Sequence, residues 1–261
     1  MHMLCREITE KIEETYPKDY AMEWDNVGLL AGRMEKEVSR IFIALDLTDE
    51  VLEEAEAFRA DMIVTHHPLI FSPLRAVTDQ NFIANRVVRL IQNDISYYAM
   101  HTNYDILRMG ELAADILEMK ETEPLESMVI HGREEGIGEM GLFSESMKLK
   151  DCCSIVKEKF GLEAVKVFGD PEKEVVKAAV CPGSGKSVIE TALKKGADVL
   201  ITGDIDHHEG IDAVARNLAV IDAGHYGLEH IYIEDMRKFL ERSFSGIEVR
   251  MAEQKSPFWF A

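Results

Sequence analysis

The sequence contains little cysteine, little positive charge and no long apolar run. Its 261 residues include four cysteines, and none stands in a Cys-x-x-Cys pair, so we expect reduced thiols and no disulfide framework. No apolar run approaches the roughly 18 residues of a membrane span, and the first residues form no hydrophobic signal core. These absences predict a cytoplasmic protein that is neither secreted nor inserted into a membrane.

The charge balance is strongly acidic. Asp and Glu number 48 against 29 Lys and Arg, which gives a formal net charge of −19 at pH 7. Such a charge repels phosphate backbones and anionic headgroups, so we expect neither a nucleic-acid nor a membrane partner. Hydrophobic residues at 46% and charged residues at 30% are typical of a folded protein, and a local positive site remains compatible with them.

Short β-branched runs alternate with amphipathic stretches, a pattern typical of parallel strands joined by helices. The predicted strands cover residues 41–45, 62–65, 95–100, 175–181, 199–202 and 218–222. The predicted helices cover residues 4–15, 49–59, 81–93, 151–160, 186–195 and 228–242. Between residues 119 and 150 several glycines indicate a short, antiparallel strand region and a boundary between two halves.

An internal repeat relates the two halves. When the sequence is shifted by 137 positions, residues 32–65 fall on residues 169–202, and 11 of the 34 ungapped pairs are identical. We therefore predict an α/β fold of two similar lobes that arose by duplication and face each other across a metal-containing cleft. The first lobe is predicted to cover residues 1–125 and the second residues 126–261, with the C-terminal helix able to pack back onto the first lobe.

Metal-ligand residue types follow three predicted strands, where open α/β sheets place their sites. They stand in the segments Thr65-His66-His67-Pro68, His101-Thr102-Asn103-Tyr104-Asp105 and His225-Tyr226-Gly227-Leu228-Glu229. His225 and Glu229 share one helical face if their segment begins the last helix. Single histidines after strands are commonly hydrogen-bonded structural residues, but three such clusters together favour a metal site.

The predicted ligands are His66, His67, Asp105, His225 and Glu229, with His101 nearby. Imidazoles mixed with carboxylates suit Zn, Mn, Fe, Co or Ni better than Mg or Ca. Five donors suit two divalent ions, about 3.5–4 Å apart, with Glu229 as the bridging carboxylate. Such a centre would form a positive pocket for a small anionic substrate.

Other segments carry weaker signals. His208, in Gly203-Asp204-Ile205-Asp206-His207-His208-Glu209, is either a residue of the cleft that contacts substrate or part of a polar loop before a helix. Asp25 and Asn26, in the segment Trp24–Leu30, either line the site or belong to a turn that enters a strand. The segment Cys181–Ser187 ends in Gly-Lys-Ser, but Val180 replaces the first glycine of a phosphate-binding loop, so we expect a tight strand-to-helix turn.

Six motifs in order resemble the NIF-three-like family, whose members are often labelled GTP cyclohydrolase I type 2 homologues. They are WDNVGLL from Trp24, VTHHPLIF from Val64, HTNYD from His101, AVCPGSGKS from Ala179, GDIDHHEGIDA from Gly203 and DAGHYGLEH from Asp222. The resemblance implies a two-lobed α/β fold, a dinuclear metal site with the five ligands named above and a ring-shaped homohexamer. The chain resembles the short form without an inserted domain. It departs from many relatives at Glu139, where they carry a basic residue, and this would weaken any phosphate contact there.

The leading hypothesis is a cytoplasmic, metal-dependent hydrolase of a small anionic substrate, phosphorylated or nucleotide-like, with His101 and Glu229 in catalytic roles. His101, or else His208, would relay protons. The competing hypothesis is a metal-binding oligomeric scaffold or adaptor without turnover. No guanine-reading residue is apparent, so GTP cyclohydrolase activity itself is not predicted.

Overall fold

The computed structural model describes residues 3–259, along which helices and short strands alternate. The helices are α1 Cys5–Thr15, α2 Asp49–Phe58, α3 Phe82–Gln92, α4 Thr102–Tyr104, α5 Gly110–Ile116, α6 Leu149–Phe160, α7 Ile189–Lys194, α8 His207–Ala215, α9 His225–Glu229 and α10 Ile231–Ser243. The strands are β1 Met3–Leu4, β2 Gly28–Ala31, β3 Glu37–Val38, β4 Arg40–Ala44, β5 Met62–Thr65, β6 Ser96–Ala99, β7 Lys120–Ile130, β8 Arg133–Lys148, β9 Lys166–Phe168, β10 Glu174–Ser184, β11 Val199–Gly203, β12 Ala219–Asp222 and β13 Glu248–Met251.

Side-chain caps fix the start of two helices in the first half of the chain. Oγ1 of Thr48 accepts a hydrogen bond from the amide of Val51 at 3.2 Å, at the beginning of α2. Oδ1 of Asn81 accepts from the amides of Ile83 and Ala84 at the beginning of α3. These bonds satisfy amides that have no partner within the helix, so both boundaries follow from local sequence.

The contacts divide the chain into two units, the first of which ends at Tyr104 and is completed by Tyr232–Lys255. Its five-stranded sheet has the order β13-β4-β5-β6-β2, in which β4, β5 and β6 are parallel. Every residue of β5 is buried, as expected for a central strand covered on both faces. The carboxyl ends of β5 and β6 therefore lie side by side at one edge of the sheet.

The second unit comprises Asp105–Ile231 and residues 256–259. Its six-stranded sheet has the order β7-β8-β10-β11-β12-β9, with β10, β11 and β12 parallel. The core around this sheet is built from buried side chains of β10–β12 and α7, among them Ala179, Leu200 and Val220. The carboxyl ends of β11 and β12 also meet at one edge.

The observed division lies earlier than the predicted boundary between residues 125 and 126. Residues 105–116 form a π-helical turn, Asp105–Met109, followed by α5, and this stretch packs against β8 of the second unit. Helix α10 and strand β13 belong to the first unit, where β13 pairs in parallel with β4. The second unit is therefore inserted between two parts of the first.

The two sheets share the topology that the sequence repeat predicts. The β4-α2-β5 segment and the β10-α7-β11 segment occupy matching positions of the repeat. In each sheet the third parallel strand, β6 or β12, has an antiparallel neighbour, β2 or β9, that comes earlier in the chain. This arrangement is consistent with duplication of a βαβ unit.

Two predicted features differ from the structure. The strand region between residues 119 and 150 is a long antiparallel hairpin of β7 and β8 rather than a short one. The segment that follows β11 contains helix α8, which begins directly at His207, and His208 lies within it. Among residues 3–259, no helix combines the length and the apolar character that crossing a membrane requires.

Candidate metal-binding residues

His66 and His67 follow β5 directly, where a hydroxyl group fixes the turn. The Tyr97 hydroxyl accepts a hydrogen bond from the Leu69 amide at 2.8 Å and donates to the His67 carbonyl at 2.9 Å. The chain therefore leaves the strand geometry after Thr65, and the two adjacent imidazoles no longer point to opposite faces. His66 is fully buried, and His67 is partly exposed.

His101 follows the neighbouring strand β6 and is held by Asp25. Its amide donates to Oδ1 of Asn103 at 3.0 Å, which caps the turn that opens α4. Its Nδ1 lies 2.9 Å from Oδ1 of Asp25, a residue 76 positions earlier. The same carboxylate accepts from the amide of Thr102 at 2.9 Å.

The three imidazoles of the first unit form one group. One ligand atom from each of His66, His67 and His101 can be chosen so that all three lie within 4.8 Å of one another. Their ring centroids are 4.8 to 5.5 Å apart. Imidazole nitrogens that bind one transition-metal ion at about 2 Å lie within about 4 Å of each other, so a small movement of the rings would bring these atoms into range.

Each of these rings makes its hydrogen bond through Nδ1. His66 contacts the carbonyl oxygen of Met100 at 3.0 Å, and His67 contacts Oδ1 of Asp46 at 2.8 Å. A carbonyl or carboxylate oxygen can only accept, so Nδ1 carries the hydrogen and the lone pair of the neutral ring lies on Nε2. A carboxylate or carbonyl behind a histidine is the usual outer support of a metal ligand.

Asp25 is ionised in this arrangement. Burial opposes its charge, but hydrogen bonds from His101 and Thr102 outweigh burial and lower the pKa of Asp25 to about 2. A permanent negative charge behind His101 stabilises a positive charge on the imidazole, whether from a proton or from a metal ion.

The second unit places His225 and Glu229 after β12. Both lie on α9, and Nε2 of His225 is 3.0 Å from Oε2 of Glu229. Nδ1 of His225 contacts Oδ2 of Asp204 at 2.7 Å, so a carboxylate orients this ring through the same nitrogen as in the first unit. Glu229 is almost fully buried, where an ionised carboxylate requires a cation or several hydrogen bonds.

Gly183 allows Glu229 to approach the sheet. It has a φ of +77°, and a Cβ atom at this position would lie 2.4 Å from Oε1 of Glu229. A side chain there would displace the carboxylate, so the glycine has a role in the site as well as in the turn.

The negative charges of Asp105 and Glu229 both influence the pKa of the buried Cys181 thiol. Burial raises the pKa of Cys181, and the charges of Asp105 and Glu229 raise it further. Both carboxylates therefore lie within electrostatic range of the same group in the second unit. The thiol stays protonated at neutral pH, which argues against a nucleophilic cysteine.

Asn26, His208 and the segment Cys181–Ser187 were also singled out in the sequence, and the structure gives each of them different contacts. Asn26 donates to the carbonyl of Ile70, and so it connects two loops of the first unit. His208 is exposed on α8, with its ring 5.2 Å from that of His207. In the segment Cys181–Ser187, β10 continues to Ser184 and a short 3-10 turn follows.

Asp46 and Asp204 are functional candidates that sequence reasoning missed. Asp46 supports His67, and Asp204 supports His225. Both stand just beyond the carboxyl end of a parallel strand, β4 or β11, which is the signal that could have identified them. Asp204 also occupies the position of His67 in the sequence repeat.

The residue types found in each unit fit transition-metal ligands. Imidazole nitrogens together with the carboxylates of the buried Glu229 and the partly exposed Asp105 suit Zn, Mn, Fe, Co or Ni, whereas Mg and Ca prefer oxygen ligands alone. The first unit supplies three imidazoles, of which His101 was predicted to transfer protons. The second unit supplies His225, Glu229 and Asp105.

The fold and these residues define an α/β protein with candidate metal ligands after its parallel strands. The chain matches the sequence model of the family described as Duf34/NIF3 (NGG1p interacting factor 3) over residues 3–257, and it belongs to this family. The resemblance seen in the sequence motifs is thereby confirmed.

Relatives and solved structures cover nearly the whole chain. Proteins called GTP cyclohydrolase 1 type 2 homolog are 35% identical in Clostridium acetobutylicum, over 92% of this chain and 91% of the relative, and 32% identical in Clostridium perfringens, over 99% and 100%. A Bacillus cereus protein related to NIF3 superposes with a TM-score of 0.90 at 25% identity, covering 100% of this chain and 99% of that one. Reduced HcgD from Methanocaldococcus jannaschii superposes with a TM-score of 0.83 at 32% identity, over 97% and 99%.

Proposed function

We propose that the protein is a metal-dependent hydrolase of a small anionic substrate, with a centre of two divalent transition-metal ions. The ligands in this proposal are His66, His67, Asp105, His225 and Glu229. The observation that carries it is the shared state of the four imidazoles. In the two units, each of these rings has its Nδ1 against a carbonyl or carboxylate oxygen, which is the usual outer support of a histidine that binds a metal ion through Nε2.

The number of donors supports two ions rather than one. The first unit provides imidazoles alone, and the second provides an imidazole and two carboxylates. A carboxylate such as Glu229 can bridge two cations, and it is buried next to His225. When bound, such a pair of ions supplies Lewis acidity to a substrate oxygen and acidifies a water molecule.

His101 is the residue that we propose to transfer protons. Asp25 holds its Nδ1, so the proton that moves is the one on Nε2. The ionised Asp25 stabilises the protonated ring, as a carboxylate partner does in other acid–base pairs. The anionic substrate is favoured because two divalent ions exceed the charge of the two carboxylate ligands.

The family resemblance, the thiols and the net charge support proposals for the oligomeric state, the compartment and the partners of the protein. The family resemblance supports a ring-shaped homohexamer. Cys5, Cys152, Cys153 and Cys181 are all free thiols, as expected in the reducing cytoplasm. The −19 charge disfavours nucleic acids and anionic membranes as partners, and so a small molecule is the proposed substrate.

The experiment is a metal titration of the whole chain with Zn²⁺, Mn²⁺ and Fe²⁺, followed by elemental analysis after gel filtration. We expect close to two ions per wild-type chain. His66→Ala and Glu229→Gln should each weaken the binding of both ions if the ligands of the two units serve one centre. Two independent sites would instead lose one ion in each variant and keep the other unchanged. His131→Asn, in the exposed β7–β8 turn, is the control for loss of an imidazole.

Measurements of turnover and of oligomer size distinguish a hydrolase from a metal-binding scaffold. A hydrolase should lose turnover of phosphoesters and cyclic amides in Glu229→Gln while the variant stays folded and assembled. His101→Ala should lose turnover and keep its ions. A scaffold in which the ions only clamp the structure would show no turnover, and Glu229→Gln would lower the melting temperature and the oligomer size together. Binding of fewer than about 0.2 ions by the wild type would contradict both functions.

A further inference from the structure

Two large aromatic side chains of the first unit are exposed beside the histidine group. Trp24 is 60% exposed and Phe71 is 52% exposed. Their ring centroids are 5.8 Å apart with an angle of 49° between the ring planes. Phe82, another exposed aromatic residue, differs because the guanidinium of Arg86 covers its face at 5.2 Å. Exposed apolar surface with a defined shape is typical of a binding site.

Hydrogen bonds hold the two aromatic residues in place. Asp25, the neighbour of Trp24, accepts from the amide of Thr102 and contacts Nδ1 of His101. Asn26 donates from Nδ2 to the carbonyl of Ile70, the neighbour of Phe71. The loops that carry the two rings are therefore attached to each other and to the turn after β6. Because the two rings are already held in place, stacking of a ligand on them would cost little free energy for ordering these side chains.

The aromatic pair lies beside His101, and His101 lies beside His66 and His67. The centroid of Trp24 is 6.0 Å from that of His101, at 71°. His101 is in turn 5.2 Å from His66 and 5.5 Å from His67. If a small molecule binds with its charged group at the histidines, the part of the molecule next to that group can contact Trp24 and Phe71.

We propose that Trp24 and Phe71 bind a planar aromatic group of the substrate, next to the anionic group that the metal centre binds. This inference rests on the proposed function and narrows its substrate to an aromatic phosphate ester or a similar planar anion. Indole and phenyl rings stack on planar π-systems without hydrogen-bond requirements. A protein partner is less suited to the pair, because two side chains offer only a small part of the roughly 800 Å² that each partner buries in a stable complex.

The test compares two ligands that share a charged group and differ in the ring. Phenylphosphonate and methylphosphonate are titrated into the zinc-loaded chain by calorimetry, since neither has an ester bond that could be hydrolysed. We expect Trp24→Leu and Phe71→Leu to weaken phenylphosphonate about 5- to 100-fold and methylphosphonate less than twofold. Trp24→Phe, which keeps a planar ring, should retain most of the affinity. Phe82→Leu is the matched control and should change neither ligand.

Fluorescence gives a second readout from the same site. Trp24 and Trp259 are the tryptophans of the chain, so Trp259→Phe leaves Trp24 as the reporter. Phenylphosphonate should change the emission of Trp24, and methylphosphonate should change it much less. Zinc content, measured in every variant, shows whether the metal ligands remain intact.

Several outcomes would overturn the inference, and they differ from failure of the proposed function. Equal weakening of both phosphonates would show that the pair acts only by supporting His101. Unchanged affinities with a smaller oligomer in Trp24→Leu would make the pair a contact between copies of the chain. A wild type that binds methylphosphonate as tightly as phenylphosphonate would refute the aromatic subsite and leave the hydrolase intact. A zinc-loaded wild type that binds neither phosphonate would refute this inference, whereas the proposed function is decided separately by the metal titration and the turnover assay.

Discussion

The Nε2 atom of His225 and the Oε2 atom of Glu229 lie 3.0 Å apart, one turn from each other along α9. The helical spacing brings them to one face, and the bond from Nδ1 of His225 to Asp204 sets the orientation of the ring. Gly183 leaves the space that the Glu229 carboxylate occupies. The second unit thus holds a nitrogen and an oxygen of two candidate metal ligands side by side.

Gly183→Ala should impair both stability and metal binding. The new Cβ would lie 2.4 Å from Oε1 of Glu229, and the residue has a φ of +77°. Gly196→Ala is a matched control, because Gly196 has a φ of +74° and no atom within 4 Å of the added Cβ. We expect the control to lower the free energy of unfolding by about 1–2 kcal/mol with unchanged metal affinity. Gly183→Ala should show a larger loss and weaker metal binding, measured by denaturant unfolding and metal titration. Equal behaviour of the two variants would mean that only backbone strain matters at Gly183.

Asp204→Asn should weaken metal binding without unfolding the protein. Asp204 is exposed and has a φ of +57°, a conformation that Asn tolerates well. Loss of the carboxylate behind His225 should lower metal affinity about 10- to 100-fold. Asp206→Asn, two residues further along and also exposed, should leave the affinity unchanged. Competition with a metal-sensitive dye measures both constants, and an affinity for Asp204→Asn within twofold of wild type would count against a supporting role.

Glu139→Gln should stabilise the protein at alkaline pH. Burial and the nearby carboxylate of Glu111 raise the pKa of Glu139 from an ordinary value of 4.5 to about 7. Folding therefore favours the protonated group, and its contribution to stability is present below about pH 4.5 and is lost as the pH rises through about 7. We expect the melting temperatures of the variant and the wild type to be similar at pH 5, and that of the variant to be higher at pH 8. Glu145→Gln, exposed on the same strand, is the control, and a difference that does not grow with pH would refute the assignment.

Most of the parallel strands could be predicted because they are short runs of β-branched or aromatic residues, and β5 matches its predicted range 62–65, whereas β13 was not predicted. The β7–β8 hairpin was predicted too short, since Gly136, Gly138 and Gly141 interrupt the apolar–polar alternation of β8. Helix α8 was not predicted because Gly210 lies in its middle. The structure shows why the glycine is there, since a Cβ would lie 2.4 Å from the ring of Phe168 on β9.

The histidines of the site could be predicted from their place after the strands, but their supporting residues could not. Asp25 and His101 are 76 residues apart, and a pair at that distance depends on how the loops meet. The exposure of Trp24 was also unpredictable, because a tryptophan in a turn is equally compatible with a buried anchor. Sequence pattern identifies donors at strand ends, whereas the hydrogen bonds that orient them emerge only from the folded chain.

The insertion of the second unit into the first has a consequence for synthesis on the ribosome. The sheet and helices of the second unit are complete once Ile231 has emerged, so this unit can fold while translation continues. The first unit must wait for α10 and β13, since Tyr232 packs against His66 and β13 is the edge strand next to β4. The three-histidine group therefore gains its full surroundings only after α10 and β13 have been synthesised, and so later than His225 and Glu229 within their own unit.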